Sequence, residues 1–261
     1  MRTLASLAKG VPDDGVASAD SQDQRLPALI QALVQSPPAG VVALLRGSNI
    51  VLSLATFAAG LYALKGQRVL LIDAGNSTDP YIVSRLALAA RRDPQPVLSR
   101  IHIIRTFTVH QLAALAFRRL EPFIQKRAPG LVILSGATSL FADANVPLKE
   151  ANLLLRKIAV EIKQQAEQGC KVLVTAADAP VESGRRNLHV PWLDVASRSM
   201  RVDPSRTSGQ GSSTGLPRAE SRGSGQALIF RREKPFSRPG VSLVEPRIET
   251  LPADQFAPLL R

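Results

Sequence analysis

Between residues 40 and 176 the chain alternates short apolar runs with longer stretches of helical periodicity. The runs 40–45, 68–73, 101–105, 131–135 and 171–176 are rich in Val, Ile and Leu and show no alternation between apolar and polar positions. Such runs predict strands buried on both faces of a sheet. The stretches 50–65, 79–91, 109–127 and 147–168 repeat their apolar residues at helical spacing. Strands and helices in this order predict an α/β fold, with a mostly parallel central sheet flanked by helices. Further upstream, Leu29, Ile30, Leu33 and Val34 share one helical face within residues 25–36.

The ends of the chain follow other patterns. Residues 1–24 are polar and small, so residues 1–37 are expected to form a mobile segment with one short helix, ahead of a core over 38–202. Residues 203–226 are Ser, Gly, Arg and Pro with almost no large apolar side chain. Such a segment cannot offset its ordering entropy and is expected to be a disordered loop. Apolar order returns at Ala227–Phe230, and Trp192–Val202 supplies a candidate antiparallel partner across the loop. Val241–Val244 is a candidate last strand. Residues 227–261 are thus expected to complete the core as a C-terminal antiparallel hairpin extension.

Charge narrows the partners. The 261 residues carry a net +12, and half of that excess falls in residues 185–261. A basic surface of this kind attracts polyanions, nucleic acid above all. The single cysteine, Cys170, allows no internal disulfide and suits a reducing cytoplasm. His102, His110 and His189 are scattered without metal-ligand spacing, so no metal is expected. The N-terminus has Asp13, Asp14, Asp20 and Asp23 in place of a continuous apolar signal, and no apolar run is long enough to span a bilayer. A cytoplasmic protein with no membrane partner is expected.

The candidate chemistry lies after the first strand, in Leu44-Leu45-Arg46-Gly47-Ser48-Asn49-Ile50-Val51-Leu52-Ser53. A phosphate-binding loop belongs between such a strand and helix. Its chemistry needs two glycines to let backbone amides cradle phosphates, a Lys for their charge and a Ser or Thr for Mg²⁺. Only Gly47 and some hydroxyls are present. After the second strand comes Asp73-Ala74-Gly75-Asn76-Ser77-Thr78-Asp79. Three further segments follow: Arg105-Thr106-Phe107-Thr108-Val109-His110-Gln111, Leu134-Ser135-Gly136, and Val174-Thr175-Ala176-Ala177-Asp178.

In this order and spacing the segments resemble the ATPase core of the RecA/RadA/Rad51 recombinase family, over about residues 38–202. The resemblance implies a RecA-like fold, and the departures fall on its reacting positions. No Lys or Thr of the phosphate loop lies between Gly47 and Ser53, and Gly75 stands where a Glu would activate water. Ser135 stands where an Asp would hold Mg²⁺. Without these groups the charge developing on the transferred phosphoryl is uncompensated, which implies a pseudo-ATPase. No cofactor is expected, although weak ATP binding at a helix N-terminus stays open. The degenerate pocket would comprise Arg46, Gly47, Ser48, Asn49, Asp73, Asn76 and Ser135. The favoured alternative for Ser48, Asn49 and Asn76 is a purely local role in capping and turns.

Two basic segments are candidates for DNA phosphates. In the resembled family, DNA-binding loops follow the fourth and fifth strands, which implies 141–147 and 179–192. The second holds Arg185 and Arg186. The run Arg231-Arg232-Glu233-Lys234-Pro235-Phe236-Ser237-Arg238 is denser, and Phe236 between cations suits stacking on a base. The alternative is an edge strand blunted by charge. Residues 1–38 lack the aromatic residue of the Phe-x-x-Ala segment that links subunits in this family. The expectation is a catalytically inactive, DNA-binding accessory factor in repair or recombination, with an active recombinase subunit as a candidate partner. Two alternatives are an ATP-binding protein using Arg46 and Asp73, and a protein-binding regulator of a recombinase or translesion complex.

Overall fold

The protein is described by a computed structural model over residues 39–142, 145–179, 185, 187–204, 227–234 and 248–252. Its strands are β1 Val42–Gly47, β2 Val69–Asp73, β3 Ile101–Arg105, β4 Leu131–Ser135, β5 Val172–Ala177, β6 Arg198–Pro204, β7 Ala227–Lys234 and β8 Ile248–Pro252. They form one sheet in the order β3–β2–β4–β5–β1–β6–β7–β8. The pairings from β3 through β6 are all parallel, while β7 and β8 add antiparallel to the β6 side. The helices are α1 Ile50–Leu64, α2 Pro80–Ala89, α3 Pro94–Leu98, α4 Val109–Ala114, α5 Leu120–Arg127, α6 Leu148–Glu167 and α7 Val190–Val195. One π-helical turn, Leu115–Arg119, joins α4 to α5.

Alternate residues of the central strands feed two separate cores. Val42, Leu44, Leu70, Ile72, Val132, Leu134, Val172 and Val174 pack with α4, α5, α6 and α7. Ala43, Leu45, Val69, Leu71, Ile133, Leu173, Met200 and Val202 pack with α1 and α2. Burial on both faces is why these strands read as unbroken apolar runs. Each fully buried Leu or Ile contributes about 1.5–3 kcal/mol relative to exposure. α1 is covered almost all round, and α2 lies close against it at Gly60. A Cβ there would meet Leu86 at 2.8 Å. α6 buries one stripe only, with Ala151, Leu155, Ile158, Ala159, Ile162 and Ala166 inward. Among the described residues no helix is long and apolar enough to cross a membrane.

Two expectations need correction. β3 is the edge of the sheet, and His102, Ile103 and Arg105 are exposed rather than buried on both faces. Trp192–Val202 is not a continuous strand. Pro191 lies in the first turn of α7, Trp192 is buried under the sheet, and only Arg198–Pro204 pairs with β7. The antiparallel pairing of this strand with β7 is as expected, and the strand also runs parallel to β1 as the sixth member of the parallel array. The described strand near the C-terminus is Ile248–Pro252. The expected strand at 241–244, the mobile segment 1–37 and most of the loop 203–226 lie outside the described residues.

Candidate functional site

The helices after β1 and β2 cover one face, and those after β3, β4 and β5 cover the other. In such sheets ligands enter at the carboxyl ends of the strands, where the winding changes direction. Here those places are the β1/β5 and β2/β4 crevices, where the sequence puts its candidate pocket.

Between β1 and α1 the chain turns in two residues. Gly47 closes the strand at φ +132°, Ser48 and Asn49 follow, and Ile50 begins the helix. The amide of Ser48 donates to the Val202 carbonyl at 3.0 Å. Those of Val51 and Leu52 donate to Ser48 and Asn49 at 3.1 and 3.0 Å. Amides that would face a phosphate are thereby engaged in the turn itself. Asn49 holds the N-cap position in helical conformation, with no side-chain capping bond. The Ser48 hydroxyl points to the Val202 carbonyl at 3.4 Å.

The second crevice is closed by main chain. The amides of Ala74 and Gly75 donate to the Ser135 carbonyl at 2.9 and 3.2 Å. Gly136, at φ +71°, sits so near that a Cβ there would lie 2.6 Å from the Gly75 backbone. Leu52 from the first turn of α1 lies over the same point, 3.5 Å from where a Gly75 Cβ would be. Ser135 is fully buried in β4, beside Asp73 in register. Asp73 is fully buried too. Its two carboxylate oxygens accept the amides of Ser77 and Thr78, each at 3.1 Å, and Arg105 Nε stands 3.5 Å away. Charge-assisted bonds of this kind tie down the turn after β2. Asn76 within that turn takes a left-handed φ of 47°, which Asn tolerates better than most residues.

Arg46 does not stand free over this site. Asp178 lies 3.9 Å from it and also receives Arg201, whose Nε reaches Asp203 at 2.7 Å. Burial lowers the basicity of Arg201, but hydrogen bonds and charge from Asp203 and Asp178 outweigh it and leave the group more basic than usual. The seven pocket residues therefore fall into two groups, Arg46 to Asn49 at the end of β1 and Asp73, Asn76 and Ser135 at the ends of β2 and β4. Arg46 and Ser48 are engaged by Asp178 and Val202, and Asp73 by the turn after β2, while the buried Ser135 hydroxyl has no hydrogen-bond partner.

The candidate DNA residues are also separated. Arg185 is buried, and its guanidinium donates to the carbonyls of Phe141, at 2.8 Å, and Val146. It ties the segments after β4 and β5 together, which corrects the expectation that it reaches out to DNA phosphates. Arg231, Arg232 and Lys234 belong to β7, where Arg231 and Arg232 pair in register with Arg201 and Met200. Arg186, Phe236 and Arg238 lie outside the described residues. No known protein-family model matches the chain, and no curated protein matches it. No group of His, Cys, Asp and Glu among the described residues is arranged to hold a metal ion.

Sequence reasoning missed a second cluster at the opposite edge of the sheet. Arg68, Arg100, Lys126 and Arg127 line one pocket of about 600 Å³ there. A signal existed: Arg68 and Arg100 each directly precede an apolar run, so pairing those two runs side by side in parallel would have aligned the two cations.

Proposed function

We propose that this chain is a non-hydrolysing, RecA-like accessory protein that binds DNA and acts in recombination or repair beside an active recombinase. The two-residue turn from β1 into α1 carries the first half of this reading. It has no room to wrap a phosphate chain, and the amides of Ser48, Val51 and Leu52 are already engaged. The missing Lys and the closed Gly75–Gly136 contact point the same way. Hydrolysis needs a counter-charge and a positioned water, and neither has a place there. The net +12 supports the second half, because a surplus of cations favours a polyanionic partner.

Fluorescence anisotropy with labelled single- and double-stranded DNA across a salt series, with and without Mg-ATP, tests the proposal. Tight binding that weakens steeply with salt and ignores ATP is the expected result. Absence of binding at about 50 mM salt would overturn it in favour of a protein-binding regulator. Binding that requires ATP would overturn it in favour of an ATPase with a non-standard site.

A further inference from the structure

The two ends of the parallel strands differ in how their charges are matched. Towards the ends of β1, β3 and β6, Arg46, Arg105 and Arg201 each lie against a carboxylate of Asp178, Asp73 or Asp203. Where β2 and β3 begin, the 600 Å³ pocket is lined by Arg68, Arg100, Lys126 and Arg127 and by no carboxylate. None of these four cations is ion-paired among the described residues.

The arrangement is built by the fold. Arg68 and Arg100 directly precede Val69 and Ile101, which face each other in register on β2 and β3. Each guanidinium is anchored by one bond, Arg68 Nη1 to the Arg127 carbonyl at 3.3 Å and Arg100 Nη1 to the Pro96 carbonyl at 2.7 Å. A guanidinium has five donors in a fork that suits phosphate oxygens. Lys126 and Arg127 come from the last turn of α5, where they also complement the negative end of that helix. The helix end accounts for those two but not for Arg68 and Arg100, which arrive from strand starts. Phe123 and His102 line the pocket as a tilted ring pair with centroids 5.2 Å apart, and Arg127 Cζ lies 5.9 Å from the Phe123 centroid. Cations beside the exposed His102 ring and the half-buried Phe123 ring are the two components of a single-strand site: charge for the backbone and a platform for a base.

We propose that this pocket binds the phosphate backbone of single-stranded DNA, with a base set against His102 and Phe123. The inference rests on the DNA-binding reading above and fixes its location. DNA docks where β2 and β3 begin, at the far side of the sheet from Arg231, Arg232 and Lys234 of β7.

The test compares three full-length proteins binding a fluorescent single-stranded oligonucleotide across a salt series. They are the unaltered chain, the pocket variant Arg68→Gln/Lys126→Glu, and a control, Lys149→Gln/Lys157→Glu, which makes the same charge change on α6. The pocket variant is expected to bind about tenfold or more weakly, with a salt dependence shallower by about 0.7 in log–log slope for each phosphate it no longer neutralises. The control is expected to stay within about twofold. Inorganic phosphate and a mononucleotide are expected to compete poorly. If either binds as tightly as the oligonucleotide, the strand assignment is overturned. Equal binding by all three proteins overturns the pocket and leaves the DNA-binding reading standing. No binding by the unaltered chain removes both. Circular dichroism checks the fold. If the double variant does not fold, Lys126→Gln alone, at an exposed position, reads the salt slope, and an unchanged slope overturns the pocket.

Discussion

A methyl group added at position 47 has nowhere to go. It would lie 2.2 Å from the Val202 carbonyl oxygen, on a residue whose φ is +132°. Gly47→Ala is therefore expected to cost about 2–4 kcal/mol, read as a lower urea midpoint. The glycine that resembles a remnant of a phosphate loop is thus required by the packing of β1 against β6. Arg185 is expected to behave likewise. Arg185→Met strips the Phe141 and Val146 carbonyls of a charged donor, for an expected loss of about 1–3 kcal/mol. DNA affinity should not change. A variant of undiminished stability with weakened DNA binding would return Arg185 to the binding surface. Partial burial raises the Cys170 thiol above its ordinary value. The folded state therefore holds that proton more tightly than the unfolded chain. The contribution to stability is complete below the ordinary thiol value and is lost as pH rises through the folded one. Alkylation at mildly alkaline pH should be slower in the native protein than in urea, as a thiol-titration time course would show.

At the scale of elements, α5 ends on an unusual residue. Ala128 takes a left-handed φ of 44°, where glycine is the normal occupant. Ala128→Gly is expected to raise stability by up to about 1 kcal/mol, the relief of steric strain exceeding glycine's entropy cost. A higher melting temperature would register it. The central strands were legible because both their faces are buried, which leaves Leu, Val and Ile at consecutive positions such as Leu70, Leu71 and Ile72. β3 was located at its true bounds, but its exposure was not. Ile101, Ile103 and Ile104 look like interior residues, and only the strand order makes this the sheet edge. α7 was missed for a similar reason. Trp192 and Val195 suit a strand as well as a helix, and six residues are too few for periodicity to decide. The π-helical turn at Leu115–Arg119 leaves no pattern in the sequence, since one wide turn shifts the helical phase by less than a helix boundary is uncertain.

For the whole molecule, the α/β class and the parallel sheet followed from the alternation of runs, while the partners of the candidate site residues did not. Spacing along the chain placed Arg46 and Asp73 in one pocket. Asp178 reaches Arg46 only through the pairing of strands far apart in sequence, whereas the Ser77 and Thr78 amides that hold Asp73 lie four and five residues on, in a turn whose geometry the residue types alone do not fix. With the turn after β1 and the Gly75–Gly136 contact closed by backbone bonds, Mg-ATP should leave the melting temperature unchanged, whereas a bound single strand should raise it through mass action. The strand order has one more consequence. β1 is the first of the described strands to be synthesised, yet its neighbours are β5 and β6, joined through pairs such as Val42 with Val172 and Ala43 with Arg198. α2 can cover part of α1 soon after it is made, but until well over a hundred further residues have left the ribosome β1 has neither of its strand neighbours. Translation thus opens a long interval in which a chaperone that holds apolar segments competes with aggregation, and the yield of folded protein should depend on that competition more than on the stability finally reached.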